Sequence, residues 1–135
     1  MRNLCCVLLI ICTNCLPSQV FGQTERPANE EQQIRSLLCQ KWRLIVMDSD
    51  GRIINIPAGE ASYLNFKNDG TYTDSTARFK VSNGLWTFNQ SDKVLETIDK
   101  GGKSKIKIVT INSNELKTEI KYTNAIMFLT YKKDE

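Results

Sequence analysis

Residues able to do chemistry are few in this chain. Of its 135 residues none is histidine, which excludes Ser-His-Asp and Cys-His catalysis along with the commonest general base and metal ligand. Carboxylates are what remain for acid–base work. Asp48, Asp50, Asp69 and Asp74 have the chemistry of a glycosidase pair, yet each stands at or near a cluster of turn formers, where an aspartate ordinarily hydrogen-bonds its own backbone. Asp48-Ser49-Asp50-Gly51 has the opening of a calcium loop, spaced carboxylates before a glycine, but lacks the remaining ligand spacing and the closing glutamate. It reads as a hairpin turn. The expectation is of a protein with no catalytic residues, no metal site and no cofactor, and hence of a binding or scaffold module rather than an enzyme.

The basic and thiol groups lead the same way. Lys100, Lys103, Lys105 and Lys107 alternate around Gly101-Gly102, as lysines do on the solvated face of a strand, where they blunt an edge. A net charge of +3 does not call for a nucleic-acid partner. Cys5, Cys6, Cys12 and Cys15 all fall in the first segment, so beyond it only Cys39 remains; it reads as apolar filler, and no disulfide can hold the remainder together.

Those residues must be positioned by elements that begin after a leader. Met1 to Gly22 carries Arg2, then the apolar run Cys5-Cys6-Val7-Leu8-Leu9-Ile10-Ile11-Cys12, and ends with a small residue ahead of Gln23. This is the pattern of a cleavable signal peptide, too short to span a bilayer. The expected fate is export to the periplasm or the exterior, with no transmembrane segment in the mature chain. Lipid anchoring is the less favoured alternative, since Ile11 and Asn14, not small residues, precede Cys12 and Cys15. Residues 23–31 are polar and aperiodic and read as a flexible leader, and residues 32–135 read as one domain.

Asn29 near the leader's end and Gln32 offer a capping pair for a short helix ending near Cys39, with Ile34, Leu37 and Leu38 on one face as a lid or plug. After Lys41 the pattern turns to short β-branched and aromatic runs. Turn formers interrupt them at Asp50-Gly51, Pro57-Ala58-Gly59, Asn68-Asp69-Gly70, Asn83-Gly84, Gln90-Ser91-Asp92, Gly101-Gly102, Asn112-Ser113-Asn114 and Thr123-Asn124, which divides the chain into about nine segments. From Glu115 to Tyr122, Leu116, Thr118, Ile120 and Tyr122 alternate with charged residues, as only a strand explains. Trp42, Leu44 and Val46 alternate likewise, as do Leu64 and Phe66. Ala125 to Leu129 is apolar on both faces, which implies a covered outer surface. Sequential hairpins favour an all-β, antiparallel up-and-down barrel of eight or nine strands, whose closure removes exposed edges, over a β-sandwich.

The stretch Leu37-Leu38-Cys39-Gln40-Lys41-Trp42-Arg43-Leu44 resembles the opening of lipocalin-like domains of exported bacterial proteins, a helical approach and then Gly-x-Trp into the first strand. Leu64-Asn65-Phe66-Lys67-Asn68-Asp69-Gly70-Thr71-Tyr72 matches that family's hairpin, and Gly84-Leu85-Trp86-Thr87-Phe88 its second Gly-x-Trp strand, so that with Leu116 to Ile120 the likeness extends over residues 37–131. Gln40 departs from the pattern, standing where the first motif has glycine. The resemblance implies that Trp42 closes one barrel end, with Lys132 or Lys133 from the last strand over it. It also implies an open end taking one small hydrophobic molecule, lined by candidates among Tyr63, Phe66, Tyr72, Trp86, Phe88, Leu116, Tyr122, Met127 and Leu129. The alternative is a ligand-free envelope scaffold or inhibitor whose outer surface binds a protein partner.

Overall fold

The computed structural model describes residues 27–76 and 81–135; the expected signal segment 1–22 and the leader as far as residue 26 lie outside the described residues. Helix α1 (Pro27–Leu38) comes first. It starts at Pro27 rather than after Asn29, because proline's fixed φ suits the first helical position and its missing N–H would have no partner there. The helix thus takes in residues 27–31, which the polar composition assigned to a mobile leader. Arg35 Nε donates to Glu31 Oε1 at 3.0 Å, one turn back along the helix. Ile34 and Leu38 turn their side chains to the core.

Nine antiparallel strands follow: β1 (Lys41–Ser49), β2 (Arg52–Asn55), β3 (Ser62–Phe66), β4 (Thr71–Thr76), β5 (Ser82–Asn89), β6 (Val94–Asp99), β7 (Gly102–Ile111), β8 (Glu115–Lys121) and β9 (Ile126–Lys133). β3 to β9 pair in chain order, and β1 pairs with both β3 and β9, closing an eight-stranded barrel. β1 is long enough to serve two neighbours on one edge. Its first residues pair with β3, and its last, Val46 to Ser49, with β2, an appended ninth strand.

Turn chemistry accounts for the register. Between β1 and β2, Asp50 and Gly51 have φ of 52° and 82°, the left-handed pair a two-residue hairpin requires, and Gly51 N–H donates to Asp48 Oδ1 at 3.1 Å. Between β3 and β4, Gly70 has φ of 82° while Asp69 Oδ1 accepts from Thr71 N at 2.9 Å. One expected turn is not a turn. Asn83-Gly84 lies inside β5, which begins at Ser82. Gly84 is there because a Cβ would come within 2.6 Å of the Tyr72 ring and strike the Ile98 carbonyl.

Two bulges reset the alternation. The β1–β9 ladder slips between Leu44 and Val46, and the β7–β8 ladder between Ile108 and Thr110. A one-residue insertion moves every later side chain to the other face, so Met47, not Val46, follows Leu44 inward. On the apolar outer face Lys117 Nζ sits 5.6 Å from the Phe128 ring centroid.

The core fills one end of the barrel. Leu38, Trp42, Phe66, Leu95 and Leu116 are fully buried there, with Trp86, Phe88 and Ile108 close to it. Phe66 meets Trp86 edge-on at 5.5 Å and Tyr72 at 6.0 Å. Both indoles find acceptors, Trp42 Nε1 donating to Leu38 O at 3.1 Å and Trp86 Nε1 to Lys67 O at 3.0 Å. A large aromatic buries its area at full value only when its polar atom is satisfied, so this floor is finished structure. The helix caps it, with Arg35 stacked 5.3 Å from the Trp86 ring centroid.

Candidate functional site

The other end of the barrel is open. A cavity of about 620 Å³ occupies it, walled by inward residues of β1, β3, β4, β6, β7, β8 and β9, a size in the range that takes one small molecule. Its apolar wall is Leu44, Met47, Leu64, Ile106, Ile120 and Leu129, with Met127 at the rim. The polar part comes from Asp74 on β4, Thr97 and Asp99 on β6, and Tyr72, Tyr122 and Tyr131.

Of the lining candidates, Tyr72, Tyr122, Met127 and Leu129 line this cavity. Phe66, Trp86, Phe88 and Leu116 point inward too, but at the packed end, where they form the floor. Tyr63 does not face the interior. It neighbours inward Leu64, so its ring lies on the outer surface, 4.4 Å from Lys41 Nζ, near Arg43, Lys132 and Lys133. Trp42 is wholly buried at the barrel end. Lys133 is its ladder partner on β9 and Lys132 that of Arg43, and both lysines are exposed. The cation that stacks on a floor tryptophan is Arg35 over Trp86.

Tyr131, Asp74, Asp99, Leu44, Met47, Ile106 and Ile120 were not among the sequence candidates. Simple parity finds several of them: Leu44 lies two residues beyond Trp42, Ile120 four beyond Leu116, Asp74 two beyond Tyr72, and Tyr131 continues the Met127, Leu129 alternation. Asp74 was masked by its neighbours, which read as a hairpin end although the residue sits within β4.

The two aspartates have opposite environments. Asp99 Oδ2 accepts from Ser82 Oγ at 2.7 Å and from the Tyr72 hydroxyl at 3.2 Å, and Oδ1 accepts from Gly101 N at 2.7 Å. These donors, the Ser82 hydroxyl first, hold its carboxyl below the usual range. Asp74 is half-buried, and the loss of water, then the charge of Asp99, push its carboxyl up. Tyr131 is 5% exposed, and burial first, with Asp74 and Tyr122 adding to it, raises its phenol far above the ordinary value. Deeper in the barrel the Thr118 hydroxyl is buried without a protein partner.

The lysines on the cavity wall hold their charges elsewhere. Lys103 and Lys105 reach Glu96 at 2.7 and 3.3 Å, and Lys121 reaches Glu119 at 3.5 Å. Glu96 neighbours inward Leu95 and Thr97, and Glu119 neighbours inward Thr118 and Ile120, so these pairs lie on the outer surface. Among the described residues no three His, Cys, Asp or Glu side chains converge to hold a metal ion, and no helix is long and apolar enough to cross a membrane.

No family model and no curated protein matches the sequence. Among solved structures the chain is similar to a lipocalin-like protein from Bacteroides uniformis ATCC 8492, with a TM-score of 0.56 and 15% identity over 72% of this chain and 98% of that one. Closed eight-stranded barrel, capping helix and structural neighbour agree: this chain has the lipocalin-like fold.

Proposed function

We propose that this is an exported binding protein that carries or sequesters one small, largely apolar molecule in the open end of its barrel. The observation that carries the proposal is the asymmetry of the interior, packed shut at the helix end and holding a cavity of about 620 Å³ at the other. A barrel whose only task was to be a scaffold would gain stability from filling that space, since apolar burial contributes about 25 cal/mol per Å². The apolar wall supplies the affinity and the few polar groups the orientation, the usual division of labour in ligand pockets. Export rests on the leader Met1 to Gly22. Binding rather than catalysis is the reading because Asp99 is fully engaged by donors from the protein itself, which leaves Asp74 without a second free acid or base beside it.

A second reading has its own observation. On the outer face Leu85 and Ile98 are cross-strand partners, 58% and 50% exposed, an apolar pair of the kind that docks proteins. Native mass spectrometry of the protein purified from its own host separates the two. A stoichiometric adduct of lipid-like mass, lost on denaturing extraction, supports the carrier. A bare mass, together with no uptake from a panel of apolar compounds, overturns it in favour of the protein-binding module.

A further inference from the structure

The cavity carries a carboxylate that no described residue neutralises. Asp74 lines it half-buried, and neither a hydrogen bond nor an ion pair reaches its carboxylate from the described residues. Leu64 and Ser82 are its ladder partners to either side, and neither brings a charge. Leaving a carboxylate partly desolvated and unpaired is costly, and the wall shows how it would ordinarily have been relieved: three lysines stand on it, and each sends its ammonium to Glu96 or Glu119 on the outer surface. The independent observation is Tyr131. It is more than nine-tenths buried, lines the same cavity, and no hydrogen bond is made by its hydroxyl among the described residues. Asp74 and Tyr131 thus face one cavity, an acceptor and a hydroxyl that are not hydrogen-bonded to each other.

We infer that the ligand is an amphipathic amine, its ammonium group bound between the Asp74 carboxylate and the Tyr131 hydroxyl and its apolar body laid against Leu44, Leu64, Ile106, Ile120 and Leu129. An ammonium donates to both oxygens at once and restores the balance of charge. Asp99, held by Ser82, Tyr72 and Gly101, is not the counter-ion but adds to the negative potential. An alkyl carboxylate would meet two like charges and, among the described residues, no inward cation, and an alcohol would leave Asp74 unneutralised. This inference rests on the carrier proposal and narrows its ligand.

Calorimetric titration of the protein with decylammonium, decanol and decanoate, each below its micelle concentration, tests the two separately. Decylammonium is expected to bind at least about tenfold more tightly than decanol, the worth of one charge-assisted hydrogen bond, and decanoate more weakly than either. Asp74→Asn is expected to abolish the preference, decylammonium then binding no more tightly than decanol, and continued binding of decanol reports an intact cavity; Tyr131→Phe is expected to lower the preference in part. Equal binding of the three probes overturns the amine and leaves the carrier standing, as does an ammonium preference that survives Asp74→Asn. Binding of none of them overturns both. Should Asp74→Asn fail to fold, the ranking of the probes on the unsubstituted protein decides.

Discussion

The two ends of the barrel are built from the same strands on opposite plans. At the helix end the aromatic polar atoms have acceptors, Trp42 in Leu38 O and Trp86 in Lys67 O, and the space between the rings is filled. At the open end a carboxylate and a phenol have no hydrogen-bond partner among the described residues and stand beside the cavity. The interior is packed at the first and left open at the second, and a protein tends to depart from close packing where it meets something other than itself. The helix end should therefore govern stability, and the open end should be tolerant.

The strongest way to break this comparison is Trp42→Ala. Removal of a fully buried indole is expected to cost about 4 kcal/mol, against about 1 kcal/mol for Met127→Ala at the partly solvated rim. Urea denaturation followed by circular dichroism measures both. Comparable losses would mean that the cavity wall is as much a part of the core as the floor.

Gly84 lies between the two ends. An alanine Cβ has no room beneath the Tyr72 ring and beside the Ile98 carbonyl, so Gly84→Ala is expected to cost about 2 to 3 kcal/mol through overpacking. Because that displacement moves Tyr72, it should also weaken the hydrogen bond to Asp99 and reshape the cavity, to be read as a loss of ligand uptake in native mass spectrometry. A neutral substitution would show that the strand spacing is softer than the closed barrel implies.

One exception at the finished end sharpens the contrast. Gln40 stands where the lipocalin-like pattern has glycine, and its Nε2 is buried without a partner. Gln40→Met keeps the shape and removes the stranded donor, so it is expected to stabilise by about 1 kcal/mol, seen as a higher Tm. A loss of stability would place a tightly held water on that amide.

The strand pattern was open to reading because its causes are local. Turn residues with left-handed φ at Asp50, Gly51 and Gly70 and the strict alternation of β8 depend on a few neighbours each. What could not be read depends on the ladder. A bulge at Ile45 is specified by pairing with β9, and it alone decides that Met47 rather than Val46 lines the cavity. Asn83-Gly84 has the composition of a turn, yet its glycine answers to Tyr72 on β4 and Ile98 on β6, contacts that no local pattern contains. Tyr63 has the right chemistry on the wrong parity. Asp74 was legible in principle, two residues from an inward tyrosine, but three other aspartates in the same kind of neighbourhood were turn formers.

The two cavity aspartates give the smallest expected effects, since both are partly solvated and screened, but with opposite signs. Burial and Asp99 raise the Asp74 carboxyl in the fold, so between its unfolded and folded values the native state holds more protons than the unfolded chain, and stability falls as pH rises through that window. Asp74→Asn should therefore raise Tm at pH 7, with the gain gone below about pH 4, the ordinary aspartate value. Asp99 is the reverse. Its donors lower the folded value, so its contribution is present above the unfolded value and lost as pH falls through the folded one, and Asp99→Asn should lower Tm at pH 7 with the loss fading on acidification. Tyr72 and Tyr131 on the same wall have their phenols raised by burial and stay protonated throughout. Thermal unfolding at the two pH values that moved both variants in one direction would mean that Asp74, like Asp99, is held by donors of the fold, and would leave the cavity no free charge with which to select an amine.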